Sequence, residues 1–297
     1  MKELFNFCPV SGYGYDKSKC FDFIKKMNLD GIELFMYENK PFTESFKPYV
    51  IGIHLRYWPD WLGFWLGEKT DARYITQKDW LAEIKANIQQ ALLEKPEYLV
   101  WHVSNSSFEE VFTMQYKYDS MKVVKEAAAV FNEIANIIPE NVTVLFENLW
   151  HSGLKLTEPE VVEEFFACVQ RKNVGIVLDT GHLMLTNQNL CQEQEAVDYI
   201  YKVLTRLGNM KSLIKGVHFT SSLDKNYRQF SITLPDNISE KILWQHIASL
   251  DRHQPFKECS FKKVFELITP DYLVHELLYK NFAQLENLIK LQRQCLK

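Results

Sequence analysis

The sequence predicts an α/β fold, a closed (β/α)8 TIM barrel, from three observations. Short apolar segments alternate with longer segments of helical periodicity along the 297 residues, which is typical of parallel strands joined by crossover helices. Eight strand segments can be counted, the number that closes such a barrel. Six of them end on or beside a His, Asp or Glu, and only a closed ring brings six successive strand ends together. An open doubly wound sheet, the structural alternative, would bind at one switch point between two halves.

The strand segments are continuous apolar runs, as expected for strands that are buried on both faces. Such a strand carries an ionisable residue only where it emerges, because burying that residue is costly unless it is paired or bound to metal. The repeated pattern therefore indicates one shared metal site at the carboxyl ends of the strands. In chain order the segments are Leu4–Cys8, Gly31–Phe35, Ile51–His54, Tyr98–His102, Val142–Glu147, Val174–Asp179, Ile214–His218 and Tyr272–Glu276.

The helical segments lie between these runs and carry apolar residues at a helical period. Thr157 and Glu160 predict a capping box at the start of one helix, with Pro159 in its first turn. Two connections, near residues 55–75 and 219–261, are longer than usual and are expected to lie over the catalytic face. The predicted helices are Asp16–Met27, Thr76–Leu93, Tyr118–Ile137, the helix that begins at Thr157, Gln192–Leu207, Ser239–Leu250 in the second long connection, and Asn281–Leu291.

Composition places the chain among ordinary globular proteins. Hydrophobic residues make up 46% and charged residues 24%, and no linker interrupts the pattern, so we expect a single domain over residues 1–297. The formal charge of −4 gives no basic footprint for nucleic acid. We find no signal-peptide pattern and no apolar stretch of about 18 residues, and the six Cys include no CxxC pair. We therefore expect a cytoplasmic protein with reduced thiols and no membrane contact; the oligomeric state stays open.

The segment Asp179-Thr-Gly-His182 is the sharpest local motif. Asp179 ends a strand and His182 follows three residues later, so both can point into one site; a helix-capping role for Asp179 is the alternative. With Glu147, His218 and Glu276 at other strand ends, a mixed oxygen and nitrogen site results, which suits zinc, manganese, cobalt or iron(II). Glu33 is expected to lie behind these ligands. By contrast, His151 and His246 are predicted to lie on the surface, and His275 should face the helices.

These motifs resemble those of the xylose isomerase-like barrels, which include endonuclease IV and the sugar phosphate isomerases and epimerases. The resemblance implies that Glu147, Asp179, His218 and Glu276 bind a shared catalytic metal, zinc or manganese. Members similar to endonuclease IV hold three zinc ions. For this chain the resemblance implies that Glu147 would bridge two of them. The motifs that carry the resemblance are His54-Leu-Arg-Tyr57, His102-Val-Ser104, Glu147-Asn148, Asp179-Thr-Gly-His182, His218-Phe-Thr, Asp251-Arg-His253-Gln-Pro255 and Glu276; the implied additional ligands are His54, His102, His182, Asp251 and His253.

The chain also departs from the isomerase-like pattern in two places. The Gly-x-Gly turn that often follows the Asp-x-His-x-Pro segment is replaced by Phe256-Lys-Glu-Cys-Ser260. The seventh strand continues as His218-Phe-Thr-Ser-Ser222 rather than into an acidic residue. Because a long segment separates His218 from Asp251, Asp251 and His253 are the least secure of the predicted ligands.

Three functions are compatible with these residues. The favoured interpretation is a metal-dependent isomerase or epimerase of a small carbohydrate or its phosphate, with Glu147 and Glu276 as the acid and base. Arg56, Tyr57, Trp58 and Glu33 would then bind substrate, since sugars stack on Trp, although a structural ion pair for Arg56 and a core role for the Trp residues are equally compatible. The alternative is an endonuclease IV-like zinc phosphodiesterase acting on nucleic acid. A non-catalytic binding barrel is the third possibility.

Overall fold

Among the residues that the computed structural model describes, namely 1–9, 17–36, 45–71, 73–223 and 239–297, eight parallel strands close into a barrel. Each strand pairs with its neighbours in the sequence, and the last pairs with the first, so that Lys2 lies opposite Tyr272. The predicted (β/α)8 fold is confirmed. The strands are β1 (Lys2–Phe7), β2 (Gly31–Phe35), β3 (Val50–His54), β4 (Tyr98–His102), β5 (Thr143–Glu147), β6 (Val174–Asp179), β7 (Ile214–His218) and β8 (Tyr272–His275).

The inside of the barrel is filled by side chains from the strands, as is usual for this fold. A separate buried cluster is formed there by Leu4, Tyr98, Val100, Leu145, Val177 and Val274. The ring of Tyr98 occupies the space beside Gly52, where an added Cβ would overlap the ring. Glycine at position 52 therefore makes room for a large aromatic residue on the barrel axis.

The helices of the outer layer begin and end close to where the sequence predicts. Thr76 forms a capping box with Asp79, and the Ser239 hydroxyl caps the helix in the second long connection. The helices are α1 (Lys17–Met27), α2 (Leu62–Trp65), α3 (Gln77–Leu92), α4 (Phe108–Thr113), α5 (Ser120–Ile134), α6 (Pro159–Cys168), α7 (Thr180–Leu185), α8 (Glu193–Arg206), α9 (Glu240–Leu250), α10 (Lys262–Leu267) and α11 (Phe282–Cys295), with 3₁₀ turns at Ala135–Ile137 and Gly208–Leu213.

Two helix predictions differ from the structure, and a third lies outside the described residues. The capping box at Thr157 is wrong: the N-cap of α6 is Glu158, which makes no side-chain capping bond, and Pro159 opens the helix. The last helix continues to Cys295, beyond the predicted end at Leu291. The predicted cap Asp16 lies outside the described residues.

None of the helices in the described part of the chain is long and apolar enough to cross a membrane.

The Trp-rich connection after β3 belongs to the hydrophobic core. Trp58 and Trp61 are only 7% and 8% exposed, and the rings of Trp61 and Trp80 stack with centroids 5.6 Å apart. The indole of Trp61 also donates a hydrogen bond to the carbonyl of Ser104 at 2.8 Å. The core role that the sequence left open for these residues is therefore the one that the structure shows for Trp58 and Trp61.

Helix α9 of the second long connection packs against α4, and this contact buries His246. Its imidazole stacks on Phe112 with ring centroids 4.3 Å apart, and Leu243 and Val111 lie in the same cluster. The prediction of a surface position for His246 was wrong, because the sequence alone does not reveal which helix covers which.

Candidate metal centre

The predicted ligands meet at the carboxyl ends of the strands. Strand register aligns them in pairs, since His102 lies opposite Glu147, and Asp179 lies opposite His218. The described residues form four groups of side chains, and within each group the potential ligand atoms lie within 4.8 Å of one another. Three of the groups consist only of predicted ligands, and the fourth includes Glu33. The three are Glu147, Asp179, His218 and Glu276 (the central group), His54, His102 and Glu147 (the second group), and His182, Asp251 and His253 (the third group).

The central group combines three carboxylates with one imidazole. Nδ1 of His218 lies 2.9 Å from Oε2 of Glu276, 3.3 Å from Oε1 of Glu147 and 3.9 Å from Oδ2 of Asp179. Glu147, Asp179 and His218 are completely buried, and Glu276 is 9% exposed. Three carboxylates at such spacing require a positive partner, and a single imidazolium supplies only one charge.

The second group shares Glu147 with the central one. Oε2 of Glu147 lies 3.2 Å from Nε2 of His54 and 3.1 Å from Nε2 of His102, whereas Oε1 faces His218. The two oxygens of one carboxylate thus serve two neighbouring groups. Nδ1 of His54 lies 3.1 Å from the carbonyl oxygen of Leu55, a position from which it donates and leaves Nε2 facing Glu147.

The third group brings together the least secure of the predicted ligands. Oδ2 of Asp251 lies 3.2 Å from Nε2 of His182 and 2.8 Å from Nε2 of His253, and its Oδ1 accepts a hydrogen bond from the Ser222 hydroxyl at 3.0 Å. His253 adopts a left-handed backbone with φ of 45°, which is uncommon outside glycine and is often found at functional sites. The long connection therefore returns to the site, although residues 224–238 lie outside its described part.

The carboxylates of this cluster have mainly imidazoles as partners, and these contacts shift the pKa values of both. Burial, together with the charges of Glu276 and Glu147, raises the pKa of Asp179 well above its ordinary value. Burial would raise the pKa of Glu276 too, but the neighbouring His218 lowers it to about 2. Burial lowers the pKa of His253, yet the Asp251 carboxylate outweighs this and raises it to about 10. Burial lowers the pKa of His102 to about 3, so this imidazole is neutral and keeps a lone pair.

One buried atom tests directly whether these residues suit a cation. Oδ1 of Asp179 caps α7 by accepting a hydrogen bond from the backbone nitrogen of His182 at 2.6 Å, so the capping role anticipated for Asp179 is real. Its Oδ2 is buried and accepts no hydrogen bond from the described residues. Such an orphaned carboxylate oxygen is costly in a protein interior and is the arrangement that a divalent cation satisfies. The residues present therefore fit a metal centre with mixed oxygen and nitrogen ligands.

The four residues predicted to bind substrate lie in different surroundings. The Tyr57 ring packs on His102 with centroids 4.6 Å apart, and its hydroxyl lies 2.8 Å from that of Ser104. Arg56 instead forms an ion pair with Glu83 at 2.6 Å, and Trp58 is part of the core. Glu33 is buried beside His218 and Tyr98, a placement that favours a role in holding His218 over direct contact with substrate.

Two residues on the loop after β5 have buried contacts that the sequence did not reveal. Asn148 spans two ligand-bearing strands, since its amide donates to the Asp179 carbonyl at 3.1 Å and accepts from the Asp179 backbone nitrogen at 2.9 Å. His151, predicted to lie on the surface, is only 3% exposed, and its Nδ1 lies 3.1 Å from the Tyr116 hydroxyl. Burial lowers its pKa to about 3, so it is neutral. Asn148 belongs to the Glu147-Asn148 motif, but the sequence alone does not show that its side chain reaches the neighbouring strand.

A polar cleft of about 560 Å³ lies among the loops that follow β3 and β4, on the carboxyl-terminal side of the barrel. Its lining includes Asn105, Ser107 and Tyr116, whose hydroxyl contacts His151. Lys69 and Lys117 also line it, but each is paired with an acidic residue, Asp60 and Glu68 respectively. Because Glu109 and Glu110 also line the cleft, it offers polar and acidic groups rather than a strongly basic surface.

Comparison with known proteins places this fold in a family. Among solved structures, endonuclease IV from Thermus thermophilus has a TM-score of 0.55 and 14% identity, covering 99% of this chain and 98% of that one. A D-tagatose 3-epimerase-like protein has a TM-score of 0.52 and 15% identity, covering 99% of both chains. The IOLI protein with a binding zinc atom has a TM-score of 0.58 and 14% identity, covering 99% and 96%.

At such identities the likeness to solved structures shows the fold alone. No curated protein sequence matches the chain. The family model described as "Xylose isomerase-like TIM barrel" matches residues 99–295, a span that begins within β4, contains β5 to β8 and includes most of the predicted ligands. The chain therefore belongs to the xylose isomerase-like TIM barrel family.

Proposed function

We propose that this protein is a multinuclear metal-dependent phosphodiesterase. The observation that carries the proposal is the third group, in which Asp251 and His253 converge with His182 at distances of 2.8 to 3.2 Å. A single-metal centre needs only the central group, and would leave both the second and third groups without a role. Three adjoining groups, two of which share Glu147, are the arrangement expected for clustered cations.

Bound divalent ions would supply Lewis-acid stabilisation of the charge on a phosphodiester and would activate water near neutral pH. The chain's own residues fix the geometry of the centre. Glu147 joins two groups through its separate oxygens, and the neutral imidazole of His102 presents Nε2 toward it. The Tyr57 ring covers His102 from the loop side and limits the access of bulk water there.

The features that favoured a carbohydrate substrate in the sequence are used for packing instead. Trp58 and Trp61 lie in the core, and Arg56 is committed to Glu83. The structure therefore gives less support to a sugar-stacking role for these Trp residues and to a phosphate-binding role for Arg56. We therefore favour a phosphodiesterase, whereas the sequence alone favours an isomerase.

An isomerase or epimerase of a small carbohydrate remains the second candidate, because one observation favours it. Glu147 and Glu276 both approach Nδ1 of His218, at 3.3 and 2.9 Å, so two carboxylates of the central group lie close to each other. Such a pair could move a proton on and off a carbon atom beside a chelated carbonyl. The net charge of −4 also gives no general attraction to a polyanion.

Metal counting and hydrolysis together test the proposal. The purified protein should hold close to three zinc or manganese ions per chain and should hydrolyse bis(4-nitrophenyl) phosphate or nick a duplex that contains an abasic site. Asp251→Asn should remove one ion and lower hydrolysis at least about 10-fold, whereas the exposed control Asp198→Asn should change neither. A protein with one ion per chain that interconverts ketoses, with Asp251→Asn still active, would establish the second candidate instead.

A further inference from the structure

A buried carboxylate that is not among the predicted ligands lies against the central group. Glu33 of β2 is only 1% exposed. Its Oε1 and Oε2 lie 3.1 and 3.2 Å from Nε2 of His218, and its Oε2 accepts a hydrogen bond from the Tyr98 hydroxyl at 2.7 Å. A buried carboxylate with two such partners has a defined orientation, and it fixes the groups that contact it.

The two nitrogens of His218 face different surroundings. Nδ1 is turned toward Glu147, Asp179 and Glu276, at 2.9 to 3.9 Å, whereas Nε2 is turned toward Glu33. An imidazole that binds a cation through one nitrogen usually donates its other N–H to a carboxylate or a carbonyl, and this partner sets both the tautomer and the ring orientation. Glu33 occupies the place of that partner.

Tyr98 and Gly52 support Glu33 from inside the barrel. Tyr98 is fully buried, and its ring fills the space that the missing side chain of Gly52 leaves open. Burial and the nearby charge of Glu33 raise the pKa of Tyr98 well above its ordinary value, so the hydroxyl keeps its proton and donates a hydrogen bond to Glu33. A connected path of contacts thus runs from the barrel axis through Tyr98 and Glu33 to His218.

We infer that Glu33 is a positioning residue, which accepts the Nε2–H of His218 and thereby aims Nδ1 at the cation of the central group, with Tyr98 holding Glu33 in place. The inference rests on the metal centre of the proposed function, but it does not depend on the substrate. It assigns to Glu33 an effect on metal binding through His218, without contact with the cation itself.

The fourth group of potential ligands provides the competing explanation. Glu33, His54 and His218 also offer atoms within 4.8 Å of one another. A cation held there would need Nε2 of His218, and the hydrogen bond to Glu33 would not form. The two explanations differ in the number of ions that a Glu33 variant retains.

The experiment measures zinc affinity by chelator competition in the variants Glu33→Gln and Tyr98→Phe, together with the thermal unfolding of the metal-free proteins. Glu94→Gln is the matched control, because Glu94 is likewise buried, at 7% exposure, and accepts hydrogen bonds from Ser45 and the backbone of Phe46. Removal of such a partner weakens metal binding by roughly 10- to 100-fold. Glu33→Gln should show a loss in that range for one ion at an unchanged total count, Tyr98→Phe a smaller loss, and Glu94→Gln none.

Cobalt(II) provides a readout that a purely structural role would not move. Its visible absorption reports ligand geometry, so the spectrum of the cobalt-loaded protein should shift in Glu33→Gln and keep the wild-type form in Glu94→Gln. Unchanged zinc affinity in Glu33→Gln, whatever its unfolding temperature, would overturn the inference. Loss of a whole ion would overturn it in favour of Glu33 as a ligand. A protein that binds metal in this Glu33-dependent manner but hydrolyses no diester would refute the proposed function and leave the inference standing.

Discussion

Two clusters of histidine and carboxylate lie on opposite sides of β8, and they differ in how completely their polar atoms are satisfied. On the outer side, His275 contacts Glu3 at 2.7 Å and Gln292 at 2.5 Å, and Glu3 also accepts two hydrogen bonds from Arg293, at 2.7 and 2.9 Å. On the inner side, Glu276 joins the central group, where Oδ2 of Asp179 accepts no hydrogen bond from the described residues.

The difference distinguishes a structural ion-pair network from a ligand cluster. In the outer cluster a guanidinium supplies permanent positive charge and an amide completes the hydrogen bonds, so folding alone satisfies it. The inner cluster has several carboxylates and mainly imidazoles as partners, and it is complete only with added positive charge. The inner cluster should therefore respond to metal, and the outer one should respond to protons and temperature.

The largest expected effect is that of Asp179→Asn. Asparagine keeps an oxygen that can cap α7 but removes a carboxylate from the central group. Metal at this group should be lost and activity should fall at least about 100-fold, while the metal-free protein should unfold at the same or a higher temperature, because a neighbouring negative charge is removed. Elemental analysis and calorimetry of the metal-free variant check this. A strong loss of stability without loss of metal would place Asp179 with the structural networks.

Gly52→Ala should affect stability and metal binding together. The added methyl group overlaps the ring of Tyr98, and such overpacking costs about 1–3 kcal/mol of unfolding free energy. Displacement of Tyr98 from Glu33 should also weaken the binding of one zinc ion. Gly63→Ala is the control, since an added Cβ there meets only the flexible side chain of Lys69. Full zinc affinity in a destabilised Gly52→Ala protein would separate the barrel interior from the metal centre.

The smallest effect is expected for Glu3→Gln, and it should depend on pH. Burial raises the pKa of Glu3, but hydrogen bonds from His275 and Arg293 outweigh burial and lower the pKa from an ordinary 4.5 to about 2. A carboxylate whose pKa is lowered by folding stabilises the fold at pH values above its ordinary pKa. This contribution is lost as the pH falls through the lowered pKa.

Because the Glu3 side chain is 24% exposed, we expect a cost of only about 1–2 kcal/mol at pH 7. Denaturant unfolding of both proteins should show this difference shrinking between about pH 4.5 and pH 2, with metal content unchanged throughout. A difference that stays constant down to pH 2 would show that the carboxylate charge of Glu3 contributes nothing to stability.

Much of the barrel and of the central group could be predicted from the sequence, because both follow from local patterns. Apolar runs locate the strands, and a polar residue at the end of a buried strand marks the point where it emerges, as at Glu147 and Asp179. The alternation along β8 also predicted correctly that His275 faces the helices. These inferences need only the periodicity of a strand and the rule that parallel strands end together.

Contacts between residues distant in the sequence could not be predicted in the same way. The pairing of Glu33 with Tyr98, and the burial of His151 and His246, depend on which elements cover one another in three dimensions. Arg56 illustrates the same limit, because a guanidinium beside a ligand motif can turn either toward a substrate or toward a helix, and its partner Glu83 lies on α3.

The side chain of Asn148 continues the hydrogen-bonded ladder between β5 and β6 past the point where the backbone of β5 ends. Its amide group both donates to and accepts from the backbone of Asp179, as a peptide unit of a neighbouring strand would. Glu147 and Asp179 are consequently fixed relative to each other before any ligand arrives. The conformational entropy of these two strand ends is already lost when the chain folds, and it does not oppose the later arrival of a cation.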